Sequence, residues 1–177
     1  MTEAEFTEIV RQRISWSFTL TPEVWMQHWS GSSCRIDYVG KPLDKIGGDG
    51  ELYGFEVKTD PKGFKDTSGA FKQCIDYMHS TISDERFPDG GKLKHVFLVT
   101  PSPWDGTPNG YGRWGDESTY NGGALRLAGK FGAGIASIHG HAGLSLYVGG
   151  CKLWSEQGGA RSDIQTWYKS EKVGNQG

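Results

Sequence analysis

The sequence predicts an α/β or α+β fold in which a central mixed β-sheet is flanked by helices. Two segments carry apolar residues at helical spacing, and short apolar segments typical of strands lie between and after them. This mixture is typical of a sheet covered by helices. A chain of 177 residues is long enough for one core without disulfide or metal support. We therefore expect one domain over residues 1–170 and a flexible tail over residues 171–177.

Composition and charge exclude several classes of protein. Lys and Arg total 19 against 21 for Asp and Glu, which excludes a strongly basic nucleic-acid coat and an acidic tail but leaves a local basic patch open. Three widely spaced cysteines argue against a disulfide framework and a zinc ribbon. Reduced thiols, together with no apolar run of membrane length and no signal-peptide pattern, favour a cytoplasmic protein.

The first third of the chain is predicted to contain a helix, a turn and two strands. Apolar residues at helical spacing and a capping-box pattern of Thr2 with Glu5 predict a helix over residues 2–14. The tryptophan-rich segment Pro22–Trp29 is predicted as a short helix or turn. Two strands that form a hairpin are predicted at Arg35–Val39 and Glu51–Lys58.

The remaining elements are predicted from the same patterns. A second helix is expected over Thr67–Ile82, because apolar residues share one of its faces: Phe71, Cys74, Ile75, Met78 and Ile82. The apolar segment Lys94–Thr100 predicts a strand. After a long Gly/Pro/Trp loop at residues 101–123, we expect a short helix at Ala124–Phe131 and a glycine-broken hairpin at Ile135–Leu153.

Two charged residues stand at the end of the second predicted strand. Glu56 and Lys58 are two apart, so in a strand they point to one face while Phe55 and Val57 point to the other. A carboxylate and an ammonium group are costly to bury alone, but a bound Mg²⁺ and a phosphate would neutralise them. The lysine could then hold an attacking water or stabilise charge that develops on the phosphate. Chance also produces such triplets, and we interpret a second one, Asp60–Lys62, as a surface turn.

Asp37 and a polar helix face add to this candidate site. Asp is disfavoured in a strand, and the predicted hairpin would bring Asp37 near Glu56, where a cation would relieve the repulsion. An edge-strand Asp that faces water is the alternative. Gln73 and Tyr77 are four apart and are therefore neighbours on a helix. We place them opposite the apolar face of that helix, as a solvated surface or as part of the site.

These motifs, taken in order, resemble those of the PD-(D/E)XK nuclease superfamily. Asp37 is followed by Glu56-Val57-Lys58 and then by Gln73-xxx-Tyr77, and the last element resembles the RecB-like and lambda-exonuclease-like branch. The motifs cover about residues 35–80, and the order of predicted elements extends the resemblance to about residues 1–100. Arg35-Ile36-Asp37 stands where the family commonly has Pro-Asp. Residues 101–177 take no part in the resemblance.

The resemblance implies a restriction-endonuclease-like core and a Mg²⁺- or Mn²⁺-dependent deoxyribonuclease. Exonuclease activity is one option, in a phage or in DNA repair, recombination or defence. The resemblance implies that Asp37, Glu56 and the Val57 carbonyl hold the metal. Members often add an acidic residue from the first helix, and Glu3, which shares the apolar stripe of that helix, is our candidate for this position.

DNA is the partner that the resemblance implies. Lys58 would position the nucleophilic water, while Gln73 and Tyr77 would shape the site and bind DNA near a phosphate. A DNA groove also needs basic residues, and the candidates are Lys62, Lys65, Lys72, Arg126 and Lys130.

A non-catalytic module on the same fold, which binds DNA or another protein, is the alternative function. Oligomeric state and protein partners stay open. Trp104 and Trp114 could stack on bases or pack within their loop. His139 and His141 could bind a transition metal, although structural roles are favoured.

Overall fold

The structure, a computed structural model, describes residues 2–43, 50–58, 64–100, 126–139, 143–149 and 151–156. The predicted tail, the loop at residues 101–123 and the side chain of His139 lie outside the described part, as does His141. The helices and strands are α1 Glu3–Ile14, β1 Phe18–His28, β2 Ser33–Pro42, β3 Leu52–Val57, α2 Phe64–Met78, β4 Ser80–Ile82, β5 Leu93–Val99, β6 Ala133–His139, β7 Gly143–Val148 and β8 Cys151–Ser155. Residues 126–130 are also helical.

The strands form one mixed sheet, in the order β4-β1-β2-β3-β5-β6-β7-β8. β5 runs parallel to β3 and to β6, whereas the other neighbouring strands are antiparallel. Parallel neighbours require a crossover connection, and the segment that contains α2 supplies it between β3 and β5. The prediction of a mixed sheet accompanied by helices is therefore confirmed.

The sheet carries a core on each face. Alternate residues of β5 enter different clusters: Phe97 and Val99 join the cluster that contains the apolar face of α1, whereas Val96 and Leu98 join the cluster that contains α2. We call these the α1 core and the α2 core. This alternation shows that the two helices cover opposite faces of the sheet.

Helix α1 follows its sequence pattern closely. The hydroxyl of Thr2 accepts a hydrogen bond from the Glu5 backbone N–H at 3.3 Å, and the Glu5 carboxylate accepts one from the Thr2 backbone N–H at 2.6 Å. The predicted capping box is therefore confirmed. Phe6, Val10 and Ile14 are buried in the α1 core, as their spacing predicts.

The prediction of a short helix or turn at Pro22–Trp29 is wrong, because most of this segment belongs to β1. Val24 and Met26 are fully buried, while Trp25 between them is exposed. This alternation with period two is the pattern of a strand with one buried face. Pro22 and the tryptophans suggested a turn, but pairing with β2 on one side and β4 on the other determines the strand.

Helix α2 ends earlier than predicted. It stops at Met78, and Ile82 lies in β4, where it pairs with Met26 of β1. Apolar spacing could not separate these two elements because the tight turn between them keeps Ile82 in the same core as the helix.

The chain beyond β5 forms a second group of strands. The predicted hairpin at Ile135–Leu153 is a meander of three strands, β6, β7 and β8. The helix predicted at Ala124–Phe131 is present over 126–130, and the residues before it lie outside the described part. Within the described ranges, no helix combines the length and the apolar character needed to cross a membrane.

Candidate functional site

Asp37 and Glu56 lie on adjacent antiparallel strands. Tyr38 of β2 pairs with Phe55 of β3, and this register continued by one residue sets Asp37 opposite Glu56. Asp37 Oδ2 accepts a hydrogen bond of 2.7 Å from the backbone N–H of Val57. The predicted hairpin therefore brings the two carboxylates together at the end of β3.

Glu56 and Lys58 project to one face, as predicted. Lys58 Nζ lies 2.6 Å from Glu56 Oε1, while Phe55 and Val57 belong to the α1 core on the opposite face. The Glu56 side chain is only 2% exposed, whereas that of Lys58 is 38% exposed. The ammonium group can therefore meet a ligand from solvent while its partner stays buried.

One oxygen of this buried carboxylate has no hydrogen-bond partner in the described part of the chain. It is Glu56 Oε2. The Tyr77 hydroxyl of α2 is near enough to lower the pKa of Glu56, but it donates its proton to the Arg35 carbonyl. A buried carboxylate oxygen without a partner is costly. This atom is therefore free to accept a cation.

The charges of the site are strongly coupled. Burial, followed by the charge of Asp37, raises the pKa of Glu56, and the hydrogen bond and charge of Lys58 oppose this effect. Burial acts to lower the pKa of Lys58, but its hydrogen bond to Glu56 and the nearby carboxylates outweigh burial and raise it. The lysine is therefore held charged, and a cation at the carboxylates would favour the ionised form of Glu56.

Tyr77 does not lie on a solvated face, and the prediction that placed it opposite the apolar face of its helix is wrong. Its side chain is only 1% exposed and belongs to the α2 core. Its hydroxyl accepts a hydrogen bond from Gln73 Nε2 at 2.6 Å and donates one to the Arg35 carbonyl at 2.8 Å. Burial, followed by the charge of Glu56, raises the pKa of Tyr77.

The burial of Tyr77 has a simple geometric cause. The buried face of α2 is formed by Ala70, Phe71, Cys74 and Tyr77, whereas Ile75 and Met78 are only half-buried. Hydrophobicity alone ranks Ile and Met above Tyr. The hydroxyl can nevertheless be buried because Gln73 and a strand carbonyl satisfy it.

The sheet is distorted beside Asp37. Val24 of β1 and Ile36 of β2 are partners, and both are buried in the α2 core. Phe18, earlier in β1, and Tyr38, later in β2, belong to the α1 core instead. Residues an even number of positions apart share one face of a regular strand, so the alternation of buried faces changes phase in both strands between these positions. Glu23, opposite Asp37 in this register, has a φ of 49°, and among the described residues it is the only non-glycine residue with positive φ.

A polar clamp holds this distorted strand. The Arg86 guanidinium donates hydrogen bonds to the carbonyls of Pro22 and Glu23 at 2.9 and 3.0 Å. The buried Asp84 carboxylate accepts a hydrogen bond from the Trp25 N–H and is paired with Arg86. Hydrogen bonds from Arg86 lower the pKa of Asp84, so it stays ionised. The sequence did not indicate this clamp, because the Pro22–Trp29 segment that it holds resembled a helix or turn.

The other predicted residues either lie away from this cluster or fall outside the part of the chain that the structure describes. The side chain of Glu3 lies outside the described part. Lys72 is exposed and pairs with Asp76 at 2.7 Å on the outer side of α2. Arg126 and Lys130 are exposed on the segment 126–130, and no hydrogen bond or ion pair between them and Asp37 or Glu56 is seen in the described ranges. Further candidates lie outside the described part: Lys62, Trp104 and Trp114, and the side chain of Lys65.

The fit of this site to a metal rests on two carboxylates. No group of three or more His, Cys, Asp or Glu that could hold a metal occurs among the described residues. Mg²⁺ needs fewer protein ligands, because it usually binds through one or two carboxylates and keeps several waters or phosphate oxygens. Asp37, Glu56 and the unpartnered Oε2 atom fit this requirement.

Comparisons with known proteins give no match. Neither the family models, nor the curated proteins, nor the solved structures contain a significant match to this chain.

Proposed function

We propose that this protein is a metal-dependent nuclease that hydrolyses phosphodiester bonds in DNA. The observation that carries the proposal is the cluster of Asp37, Glu56 and Lys58 at the end of β3, in which a buried carboxylate oxygen lacks a hydrogen-bond partner within the described residues. The order of the motifs and the mixed sheet, with helices on both faces, support the same proposal.

Each residue of the cluster has a distinct role in this proposal. Asp37, Glu56 and the Val57 carbonyl would hold Mg²⁺ or Mn²⁺, which supplies Lewis-acid stabilisation of phosphate charge when bound. Lys58 remains charged and half-exposed, so it can hold the attacking water and stabilise the negative charge that develops during attack.

Gln73 and Tyr77 act as positioning residues in this proposal. Their side chains are joined to each other and to the Arg35 carbonyl, two residues before Asp37. They therefore hold β2, the strand that carries one carboxylate, against α2. The burial of Tyr77 disfavours the direct contact with DNA near a phosphate that the resemblance implied for it.

Cleavage of plasmid and linear DNA with Mg²⁺ and with EDTA tests the proposal. The wild type should cut only with the metal, and Asp37→Asn and Glu56→Gln should each abolish cutting. Asp76→Asn removes a half-exposed carboxylate that pairs with Lys72 away from the site, so it should retain activity. Cutting that is unchanged in Asp37→Asn or Glu56→Gln would refute the site.

The same assay separates the two kinds of nuclease. Faster degradation of linear DNA than of closed circles would support the exonuclease option, and equal rates would indicate an endonuclease. Binding of DNA without metal-dependent cutting would favour the alternative, a non-catalytic binding module.

A further inference from the structure

The distortion of β1 and β2 lies at the level of the carboxylate cluster. The buried faces change phase where Glu23 and Asp37 stand opposite each other. In β3, the N–H of Lys58 donates to the Val99 carbonyl of β5 at 2.8 Å, so the N–H of Val57 points to the other edge, towards β2. There the Asp37 carboxylate accepts it at 2.7 Å. The distortion therefore places the Asp37 side chain where a backbone carbonyl of β2 would lie in a regular ladder.

The backbone of β1 is strained at this distortion. Glu23 has a φ of 49°, a left-handed conformation that is costly for a residue with a β-carbon, whereas glycine adopts it freely. Such a conformation persists only where the surrounding structure holds it. Because Glu23 stands opposite Asp37, the contacts that hold Glu23 also bear on the position of the Asp37 carboxylate.

The polar clamp of Arg86 and Asp84 supplies these contacts. Arg86 donates from its two terminal nitrogens to the carbonyls of Pro22 and Glu23, at 2.9 and 3.0 Å. The Asp84 carboxylate, whose side chain is 5% exposed, pairs with Arg86 at 2.7 Å and accepts the Trp25 N–H at 3.2 Å. The bonded groups lie before and after the Glu23 side chain, so the clamp fixes the chain on both sides of the strained residue.

We propose that Arg86 and Asp84 are positioning residues of the carboxylate site, which hold the strained Glu23 and thereby place the Asp37 carboxylate against the end of β3. The inference rests on the proposed nuclease function for its role, the placement of a metal ligand. β1 transmits the constraint to β2 because the two strands pair on both sides of Glu23. Without the clamp, Glu23 relaxes to a negative φ, the strands regain regular alternation and Asp37 leaves the Val57 N–H.

The substitution Arg86→Lys tests the clamp with little disturbance. Lysine keeps a cation for the buried Asp84 carboxylate but lacks the planar fork that reaches two carbonyls at once. Two measurements report the result: the amide resonance of Val57 in nuclear magnetic resonance spectra recorded in EDTA, and the affinity for Mn²⁺ by calorimetric titration without DNA. The resonance should move towards its position in Asp37→Ala. Mn²⁺ should bind about 10- to 100-fold more weakly, the loss typical of residues that orient a metal ligand.

Substitution of Glu23 in the Arg86→Lys background separates strain from charge. Glu23→Gly removes the cost of the left-handed conformation, so it should restore the Val57 resonance and the Mn²⁺ affinity. Glu23→Ala is the matched control, since alanine also removes the carboxylate but has a β-carbon and keeps that cost. It should restore neither. Arg13→Ala in the wild type removes an arginine that lies over the ring of Trp16, before β1, and should leave both measurements unchanged.

The outcomes separate the clamp from the proposed function. Recovery of the Val57 resonance with Glu23→Gly but not with Glu23→Ala would support the clamp, and it would do so even in a protein that neither binds Mn²⁺ nor cuts DNA, which would refute the nuclease. A Val57 resonance that is unchanged in Arg86→Lys, or restored equally by both Glu23 substitutions, would overturn the clamp and leave a wild type that cuts DNA a nuclease.

Urea unfolding replaces the resonance if Arg86→Lys does not fold. Folding that is recovered by Glu23→Gly and not by Glu23→Ala would then support the clamp. Recovery by both substitutions, or by neither, would overturn it.

Discussion

Removal of one hydroxyl from α2 tests the interpretation that Tyr77 positions the site. In Tyr77→Phe the ring remains, but Gln73 Nε2 loses its acceptor at 2.6 Å and the Arg35 carbonyl loses its donor at 2.8 Å. Tyr77 is 1% exposed, so water cannot easily replace these partners. A buried polar group left without a partner costs about 1–3 kcal/mol. We expect the free energy of unfolding to fall by that amount, with a melting temperature lower by roughly 2–12 °C in a chain of this size.

Urea unfolding measures this loss as a shift of the midpoint at constant m-value. Tyr53→Phe is the matched control: Tyr53 is 4% exposed, but its hydroxyl donates to the half-exposed Glu51 carboxylate at a longer distance of 3.3 Å. Water can reach the Glu51 carboxylate, so Tyr53→Phe should cost less stability than Tyr77→Phe. If Tyr77→Phe is as stable as the wild type, or loses less stability than Tyr53→Phe, the hydroxyl does not join α2 to β2 as described.

The remaining predictions concern the charged groups. Lys58→Ala should lower single-turnover cleavage by on the order of 10²-fold while DNA affinity in EDTA is largely kept; a proportional loss of affinity would make Lys58 only a phosphate contact. Without metal at pH 8, Asp37→Asn should be at least as stable as the wild type, because it removes a charge beside Glu56 and can keep the hydrogen bond from the Val57 N–H. A large decrease in its free energy of unfolding, measured with urea, would contradict this. Because the pKa of Glu56 is raised in the folded state, metal-free stability should fall as pH rises above the ordinary carboxyl range, and Glu56→Gln should flatten this part of the profile. Burial lowers the pKa of His95 to about 4. The stability that the neutral His95 side chain contributes is therefore fully present above the ordinary histidine pKa and is lost as pH falls through 4. That loss is on the order of 3 kcal/mol between pH 7 and 4, and a His95→Gln variant that shows the same acid profile as the wild type would refute it.

Local patterns were sufficient where one short segment decides the outcome. The capping box and apolar stripe of α1, the strand character of β3 and β5, and the common face of Glu56 and Lys58 all depend on residues at most a few positions apart. Periodicity and side-chain chemistry act at that range, so these features were predicted correctly. The approach of Asp37 to Glu56 was also predictable, since a hairpin relates the two strands directly.

Tertiary contacts decided the features that local patterns predicted wrongly or not at all. β1 is a strand because β2 and β4 pair with it on its two sides, although its Pro and Trp residues suggested a turn. Tyr77 is buried because Gln73 and the Arg35 carbonyl satisfy its hydroxyl, and the latter lies 42 positions away in the chain. Arg86 likewise donates a hydrogen bond to the carbonyl of Glu23, which has a left-handed backbone conformation and lies 63 positions earlier in the chain. Hydrophobicity and propensity are properties of neighbouring residues, whereas hydrogen-bond satisfaction in a buried site depends on which distant strands meet, and only the folded chain determines that.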